Sequence, residues 1–334
     1  MTAELGHHPE LRHSRIMGTG SFRPPRVVGN AEICEHIDSS EEWILARSGI
    51  RTRRFAAPDE TLAVMAAAAG AAALADAGLT AAEVDSVIVA TMSHRLGTPS
   101  VAAEVASRLG VDSPGALDIS AACSGFCYGT ALAGDLVRAG SADHVLLIGA
   151  ERMTDIVDPA DRTAAFLFAD GAGAVVVGPS GTPGIGPVVW GSDGTQGDVI
   201  RMSHAGAPAG QEQSGTAPAL RMQGPTVYRW AISEMGDVGR QAVKNAGLTM
   251  ADIDVFVPHQ ANRRIVDALA KSLDLREDAV VARDVAESGN TSAASVPLAL
   301  DRLRSEGSAE SGDLALLIGF GAGLAYAAQV VRLP

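Results

Sequence analysis

Ala77-Gly-Leu-Thr-Ala-Ala-Glu-Val-Asp85 returns as Ala246-Gly-Leu-Thr-Met-Ala-Asp-Ile-Asp254, at an offset of 169 residues. Ala-Asp143-His-Val-Leu-Leu-Ile-Gly149 returns as Gly-Asp313-Leu-Ala-Leu-Leu-Ile-Gly319, at an offset of 170. Two matches at nearly one offset mark an internal duplication of about half the chain. Each copy has the same local physics. A helix (Thr61 to Ala77; Val227 to Ala246) runs into a glycine, which enters the left-handed region without steric cost and ends it. A short turn then leads into an unbroken apolar run, Val84 to Ala90 in one copy and Ile253 to Val257 in the other. Runs without polar alternation predict strands buried on both faces, and helices alternating with them predict an α/β architecture. The chain therefore divides into halves at about 16–180 and 181–334, related by a pseudo-twofold axis, after a flexible polar tail at 1–15. Gly181 to Ala219 is rich in Gly, Pro, Ser and Thr and lacks apolar periodicity, so it is expected to link the halves and to make an irregular excursion, a candidate flap.

Composition narrows the function. The 334 residues exceed one ordinary hydrophobic core, and 47% hydrophobic against 19% charged residues is a globular balance. A formal charge of −13 argues against a general nucleic-acid role, which needs clustered Lys and Arg. It leaves room for an acidic partner on a local basic patch. Three cysteines, Cys34, Cys123 and Cys127, are too few and too scattered for a disulfide framework or a zinc site, so no metal is expected and the setting is read as cytoplasmic. Met1 to Arg15 has no apolar segment, and Ala63 to Ala75, mostly alanine, is shorter than the roughly 20 apolar residues of a membrane span.

Cys123 stands out by its surroundings. Ala116 to Ser120 has strand character, Gly125 to Ala139 helix character closed by Gly140, and Ala121-Ala-Cys123-Ser-Gly125 joins them. A thiol there sits at a helix N-terminus, where free N–H groups favour the thiolate, in the strand-turn-helix setting of a nucleophile elbow. The competing reading is a buried cysteine serving as a small hydrophobe, and this pattern alone does not choose between them. Cys127, a turn further on, and Cys34, within an N-terminal helical stretch, are expected in packing roles.

Three further segments carry candidate partners. Val255-Phe-Val-Pro-His259-Gln-Ala-Asn262 puts a histidine beyond the carboxyl end of a buried strand, where α/β proteins build sites. A lone histidine is more often structural, as His94 and His144 are read. Ser288-Gly-Asn290-Thr-Ser-Ala-Ala-Ser-Val-Pro297 is a glycine turn feeding a helix, and the repeat offset puts Asn290 close to the counterpart of Cys123. An ordinary N-cap is the alternative for this asparagine. Gly319-Phe-Gly-Ala-Gly323 is expected as a flexible loop whose N–H groups could face an oxyanion. Neither it nor Asp170-Gly-Ala-Gly173 fits a nucleotide loop, because β-type runs rather than helices follow both.

Taken in order, Ala-Ala-Cys123-Ser-Gly-Phe, Pro-His259-Gln-Ala-Asn262, Gly-Asn290-Thr-Ser-Ala-Ala-Ser and Gly-Phe-Gly-Ala-Gly323 resemble the type III β-ketoacyl-acyl-carrier-protein synthases, initiating ketosynthases of the thiolase-like fold that include polyketide priming enzymes. The resemblance runs from Ile16 to Leu333. It implies a layered αβαβα fold, a homodimer, and a Cys123–His259–Asn290 triad with an oxyanion hole from the N–H groups of Cys123 and Ala322. Trp43, Arg47, Arg162 and Asn262 match positions that bind CoA, with Trp43 and Arg162 sandwiching the adenine and Asn262 on the pantetheine arm. Arg229 and Arg264 match carrier-protein docking positions, for which a solvated surface arginine is the plainer reading. Acyl-CoA and malonyl acyl carrier protein are the implied partners, the CoA thioester being a substrate and no cofactor being required. Ser124 stands where alanine is common and Pro225 where a polar residue often contacts CoA.

The implied cycle is ping-pong: Cys123 is acylated from acyl-CoA, then His259 and Asn290 support loss of CO2 from malonyl carrier protein and attack of the enolate on the acyl-cysteine. Phe320 and the partner subunit's Thr98 are implied in the acyl pocket. Acetyl-preferring relatives carry phenylalanine at the latter position, so threonine suggests a branched or medium-length starter, for fatty-acid or aromatic polyketide synthesis. Two rivals remain: an acyltransferase of this fold that never decarboxylates malonate, and a silent partner subunit, a class that lacks the active cysteine.

Overall fold

The computed structural model describes residues 12–203 and 218–334. Two five-stranded sheets form its centre. In the first the spatial order is His13–Phe22, Asp170–Ser180, Val145–Arg152, Ser86–Ala90, Gly115–Ile119. In the second it is Val189–Ser192, Ala325–Arg332, Leu314–Gly321, Val255–Pro258, Val280–Val281. The two orders correspond strand for strand. Ser86–Ala90 runs parallel to both its neighbours, as does Val255–Pro258, while the strands beyond Val145–Arg152 and Leu314–Gly321 pair antiparallel.

Both faces of each sheet are covered, which explains the unbroken apolar runs. Along Val145–Ile148, Val145 and Leu147 face inward, where they join Phe126, Val257 and Leu317 in one core spanning both sheets. Leu146 and Ile148 face outward onto the Leu62–Ala77 helix. Leu317 points inward while Leu316 and Ile318 lie beneath the Gly224–Asn245 and Arg263–Leu273 helices. The Gly125–Arg138 and Ser295–Ser305 helices fill the space between the sheets, giving the αβαβα layering of the thiolase-like fold. Among the described residues no helix is long and apolar enough to cross a membrane.

Several boundaries differ from expectation. The strands start at Ser86 and Val255, two residues late, because Thr80-Ala-Ala-Glu83 and Thr249-Met-Ala-Asp252 are capping boxes that wind the preceding residues into 3-10 turns. The second long helix begins at Gly224 rather than Val227, with Pro225 in its first turn, where a missing N–H costs nothing. The polar tail expected through residue 15 gives way to a strand at His13, anchored by Arg12 on Val137 O and Asp143. Residues 1–11 lie outside the described residues. So do 204–217, within the expected flap; its ends pair as the short strands Ile200–Met202 and Leu220–Met222.

Candidate active site

The duplication reappears at the backbone level where the halves meet. Ala122 (φ +46°) and Ser292 (φ +48°) both hold the left-handed conformation, rare outside glycine, and each opens a 3-10 turn that starts an inter-sheet helix. These turns, Ala122–Ser124 and Ser292–Ala294, pack against each other. Ala293 is therefore the counterpart of Cys123, and Asn290 lies three residues ahead of it, a refinement of the offset argument. The repeated glycines make the approach possible. A Cβ on Gly149 would lie 2.4 Å from Ala293 O, and one on Gly319 would lie 2.9 Å from Ser124 Cα. Gly319 to Gly321 is thus not the expected flexible loop but the end of the Leu314–Gly321 strand, pressed against the Cys123 turn.

Cys123, His259 and Asn290 converge on one buried cavity of about 30 Å3, walled also by Phe320, Ala322, Met92 and Phe168. Ile200, Leu220 and Met222, from the ends of the excursion, add to its wall. The cavity shares Met222, Val227 and Ala261 with an outer cavity of about 480 Å3 that opens to solvent.

His259 follows the Val255–Pro258 strand, and its N–H is held by Ile318 O at 2.6 Å. Its Nδ1 lies 2.6 Å from Ser295 Oγ, which also accepts the Gln260 N–H at 3.3 Å. When the Ser295 hydroxyl donates to Nδ1, the proton of the neutral ring falls on Nε2. Burial lowers the His259 pKa to about 3, so the ring is neutral at physiological pH. Phe320 meets the imidazole edge-on at 5.2 Å between centroids. In the other half the equivalent pair is Ala90 and Gly125, a close packing contact without polar groups.

Asn290 is placed by its backbone, which bonds to Leu167 O (2.8 Å) and Ala169 N (2.9 Å). Gly289 before it has φ +71°, and a Cβ there would lie 2.9 Å from both Ala169 Cβ and Arg53 Cβ. The Asn290 Oδ1 accepts the Ser292 N–H at 2.9 Å, which orients the amide and leaves the Nδ2 hydrogens as donors. Two neutral donors beside a thiol suit stabilisation of oxygen anions, the need of acyl transfer and of enolate formation.

The thiol departs from expectation. Burial pushes Cys123 up to about 12, the Ser292 hydrogen bond works against the rise, and the Glu151 carboxylate adds to it. The resting group is the thiol, which donates to Ser292 Oγ at 3.4 Å. Cys127 is fully buried in the inter-sheet core, and Cys34 ends the short Asn30–Cys34 helix.

Trp43, Arg47, Arg162, Asn262, Arg229 and Arg264 all line the outer cavity. The Arg162 and Arg47 guanidinium carbons lie 5.3 and 5.7 Å from the Trp43 ring centroid, and Arg264 lies 5.1 Å from that of Tyr228. Asn262 is also an N-cap: its Oδ1 accepts from Arg264 N (2.8 Å) and Ile265 N (3.3 Å), while Nδ2 donates to Arg47 O at 3.5 Å and has a second hydrogen that can serve a ligand. Pro225 is part of the same wall. Thr98 is exposed, in the loop after Ser86–Ala90, and lines neither cavity of its own chain. Among the described residues no group of His, Cys, Asp and Glu is arranged to hold a metal ion.

Sequence reasoning passed over Ser292, Ser295 and Glu151. The serines stood inside a motif already singled out. For Glu151 the signal was a carboxylate directly after the apolar Val145–Ala150 run, in a strand that is buried from Val145 to Glu151.

Comparison with known proteins sets this geometry in context. Residues 117–194 match the family model described as 3-oxoacyl-[acyl-carrier-protein] synthase III, and residues 243–333 match that of its C-terminal part. The β-ketoacyl-[acyl-carrier-protein] synthase III of Streptomyces glaucescens is 53% identical over 322 residues, covering 96% of this chain and 97% of that protein. The crystal structure of the priming β-ketosynthase from the R1128 polyketide biosynthetic pathway superposes with a TM-score of 0.96 at 51% identity, covering 98% of each chain. The 3-oxoacyl-[acyl-carrier-protein] synthase III of Aquifex aeolicus gives a TM-score of 0.88 at 36% identity, over 96% of this chain and 99% of that one.

Proposed function

Since the chain belongs to the 3-oxoacyl-[acyl-carrier-protein] synthase III family, we propose that it performs the initiating condensation of fatty-acid or polyketide synthesis, with Cys123, His259 and Asn290 as its catalytic groups. The observation that carries the assignment of these residues is their convergence on one buried cavity behind an outer cavity rich in arginine.

In the first half-reaction the Cys123 sulfur attacks the acyl-CoA thioester, and CoA leaves as its thiolate. The N–H groups of Cys123 and Ala322, both on the cavity wall, are the proposed oxyanion donors. Trp43, Arg47 and Arg162 bind the nucleotide end of CoA; because Arg162 already stacks on Trp43, an adenine between them requires Arg162 to swing off the ring. In the second half-reaction malonyl acyl carrier protein delivers its thioester to the same cavity, with Arg229 and Arg264 at the rim receiving the acidic carrier. His259 Nε2–H and Asn290 Nδ2–H hold the thioester oxygen while CO2 departs. The enolate carbon attacks the acyl-cysteine, releasing 3-oxoacyl carrier protein and Cys123. Two hydrogen-bond donors suffice because no proton is abstracted from carbon. Every group the cycle requires belongs to this chain or to its thioester substrates.

The starter is a branched or medium-length acyl group if Thr98 of the partner subunit closes the acyl pocket where relatives use phenylalanine. A homodimer fits the edge of the first sheet: among the described residues Gly115–Ile119 pairs on one side only, and Leu117 is 42% exposed there. The test is release of labelled CO2 from malonyl carrier protein in the presence of acyl-CoA, with 3-oxoacyl carrier protein as product. Acylation without CO2 would instead identify the non-decarboxylating acyltransferase.

A further inference from the structure

A thiol held protonated by burial must lose its proton to attack, and neither His259 nor Asn290 bonds to it among the described contacts. The thiol points instead to Ser292. Ser292 Oγ in turn lies 2.9 Å from Oε1 of Glu151, a carboxylate with no exposed surface at all.

Donors crowd around Glu151. Backbone N–H groups of Met92, Ser93 and Ala293 can only donate to it. Ser93 Oγ, 2.5 Å away, already accepts from Arg152 N, and Thr91 Oγ1, 3.1 Å away, already accepts from Ser93 N. Ser292 Oγ accepts from Cys123 Sγ. Each hydroxyl is thus free to turn its own hydrogen toward Glu151, and three backbone N–H groups with three such hydroxyls make a pocket built to hold a carboxylate. Cys123 is the titratable group facing this cluster. Among the described residues Glu151 forms no ion pair, since the nearby Arg152 side chain pairs with Asp155.

We propose that Glu151 is the reservoir for the Cys123 proton, reached through Ser292. As sulfur attacks the thioester carbonyl, the S–H proton passes to Ser292 Oγ while the Ser292 hydroxyl proton passes to Glu151 Oε1. The C–S bond to CoA breaks with its electron pair, and CoA thiolate takes a proton from water. Glu151 stays protonated through the acyl-enzyme stage. When the enolate expels Cys123 as thiolate, the relay runs backward and restores thiol and carboxylate. The cycle then takes up one proton from solvent overall, as an acyl thioester and a malonate carboxylate become CoA thiol, CO2 and a neutral 3-oxoacyl thioester.

Two physical arguments favour this route. The buried site carries one negative charge before and after the transfer, so no second charge is desolvated, whereas transfer to His259 would create a buried imidazolium–thiolate pair. Burial also raises the Glu151 pKa, making it a stronger base than an ordinary carboxylate. Ser292 touches the reacting sulfur; Glu151 acts through it and is a positioning residue.

The inference rests on the condensing reading, and one experiment separates the two. Acylation by acyl-CoA is followed in single turnover by intact mass, from about pH 6 to about pH 10, for wild type and Ser292→Ala. Alanine is tolerated in this backbone state, as Ala122 shows at the equivalent position. The expected result is a ~100-fold slower acylation near neutrality that rises about tenfold per pH unit toward the wild-type rate, because hydroxide replaces the relay. Should Ser292→Ala fail to fold, Ser292→Gly, suited to a positive φ, gives the same readout. A wild-type rate in the variant, or a deficit constant with pH, overturns the relay. Wild type that is never acylated refutes the condensing reading itself.

Discussion

Gly321 tests how closely the two halves define the nucleophile. A Cβ at this position would lie 2.9 Å from Cys123 Cβ, 3.1 Å from Cys123 N and 3.2 Å from Cys123 Sγ. Comfortable carbon–carbon contact begins near ~3.5 Å, so Gly321→Ala must push the Cys123 turn away by about 0.6 Å. Little relaxation is available, since the turn is backed by the Ser292–Ala294 turn and by Gly319. Overpacking of this kind costs ~1–3 kcal/mol of stability, and misplacing a nucleophile by ~1 Å costs up to ~100-fold in rate. The variant is expected to unfold at lower denaturant concentration and to acylate roughly 10- to 100-fold more slowly at saturating acyl-CoA. The assay pairs denaturant unfolding with intact-mass acylation kinetics, using Gly29→Ala as control because nothing lies within 4 Å of a Cβ there. Wild-type stability and acylation in Gly321→Ala would refute the close-approach argument.

Three further outcomes follow from the site. Asn290→Ala should still acylate Cys123 but lose ~3 kcal/mol of transition-state stabilisation in decarboxylation, read as labelled CO2 release; equal loss of both steps contradicts the division of labour. His259 has its folded pKa depressed to about 3 from an ordinary 6.5, so the unfolded chain binds the extra proton first as pH falls. Its contribution to stability is therefore complete above about pH 6.5 and is lost progressively toward about pH 3, with a slope of at most ~1.4 kcal/mol per pH unit that His259→Gln should remove in denaturant titrations. Thr98→Phe should shift the acyl-CoA preference toward shorter chains, and an unchanged panel counts against the shared pocket.

Much of this molecule is legible from its repeat. The duplicated helix–glycine–turn–strand segments predict two related α/β halves with strands buried on both faces, because apolar runs of that length have to be covered; the strand order of each sheet was not predicted from them. The strand starts were misplaced by two residues where Thr80–Glu83 and Thr249–Asp252 bond locally, although the capping pattern was there to read. The helix-start reading of Cys123 accounts for local position alone, whereas the burial that raises its pKa comes from segments nearly 170 residues away, which periodicity does not weigh. Gly319-Phe-Gly-Ala-Gly323 looked like a loop because its glycines suggest freedom, whereas Gly319 and Gly321 serve close packing within a strand. Glu151 and Ser292 become a pair only through tertiary contact between the halves, 141 residues apart in sequence.

In the proposed cycle the Cys123 sulfur carries the acyl group between two half-reactions. Peptide mapping of the protein after brief exposure to an acyl-CoA mixture addresses it directly. The expected result is a thioester adduct on the peptide containing Cys123, absent in Cys123→Ala and discharged when malonyl carrier protein is added. An adduct on Cys34, Cys127 or another residue, or one that malonyl carrier protein leaves in place, would contradict it.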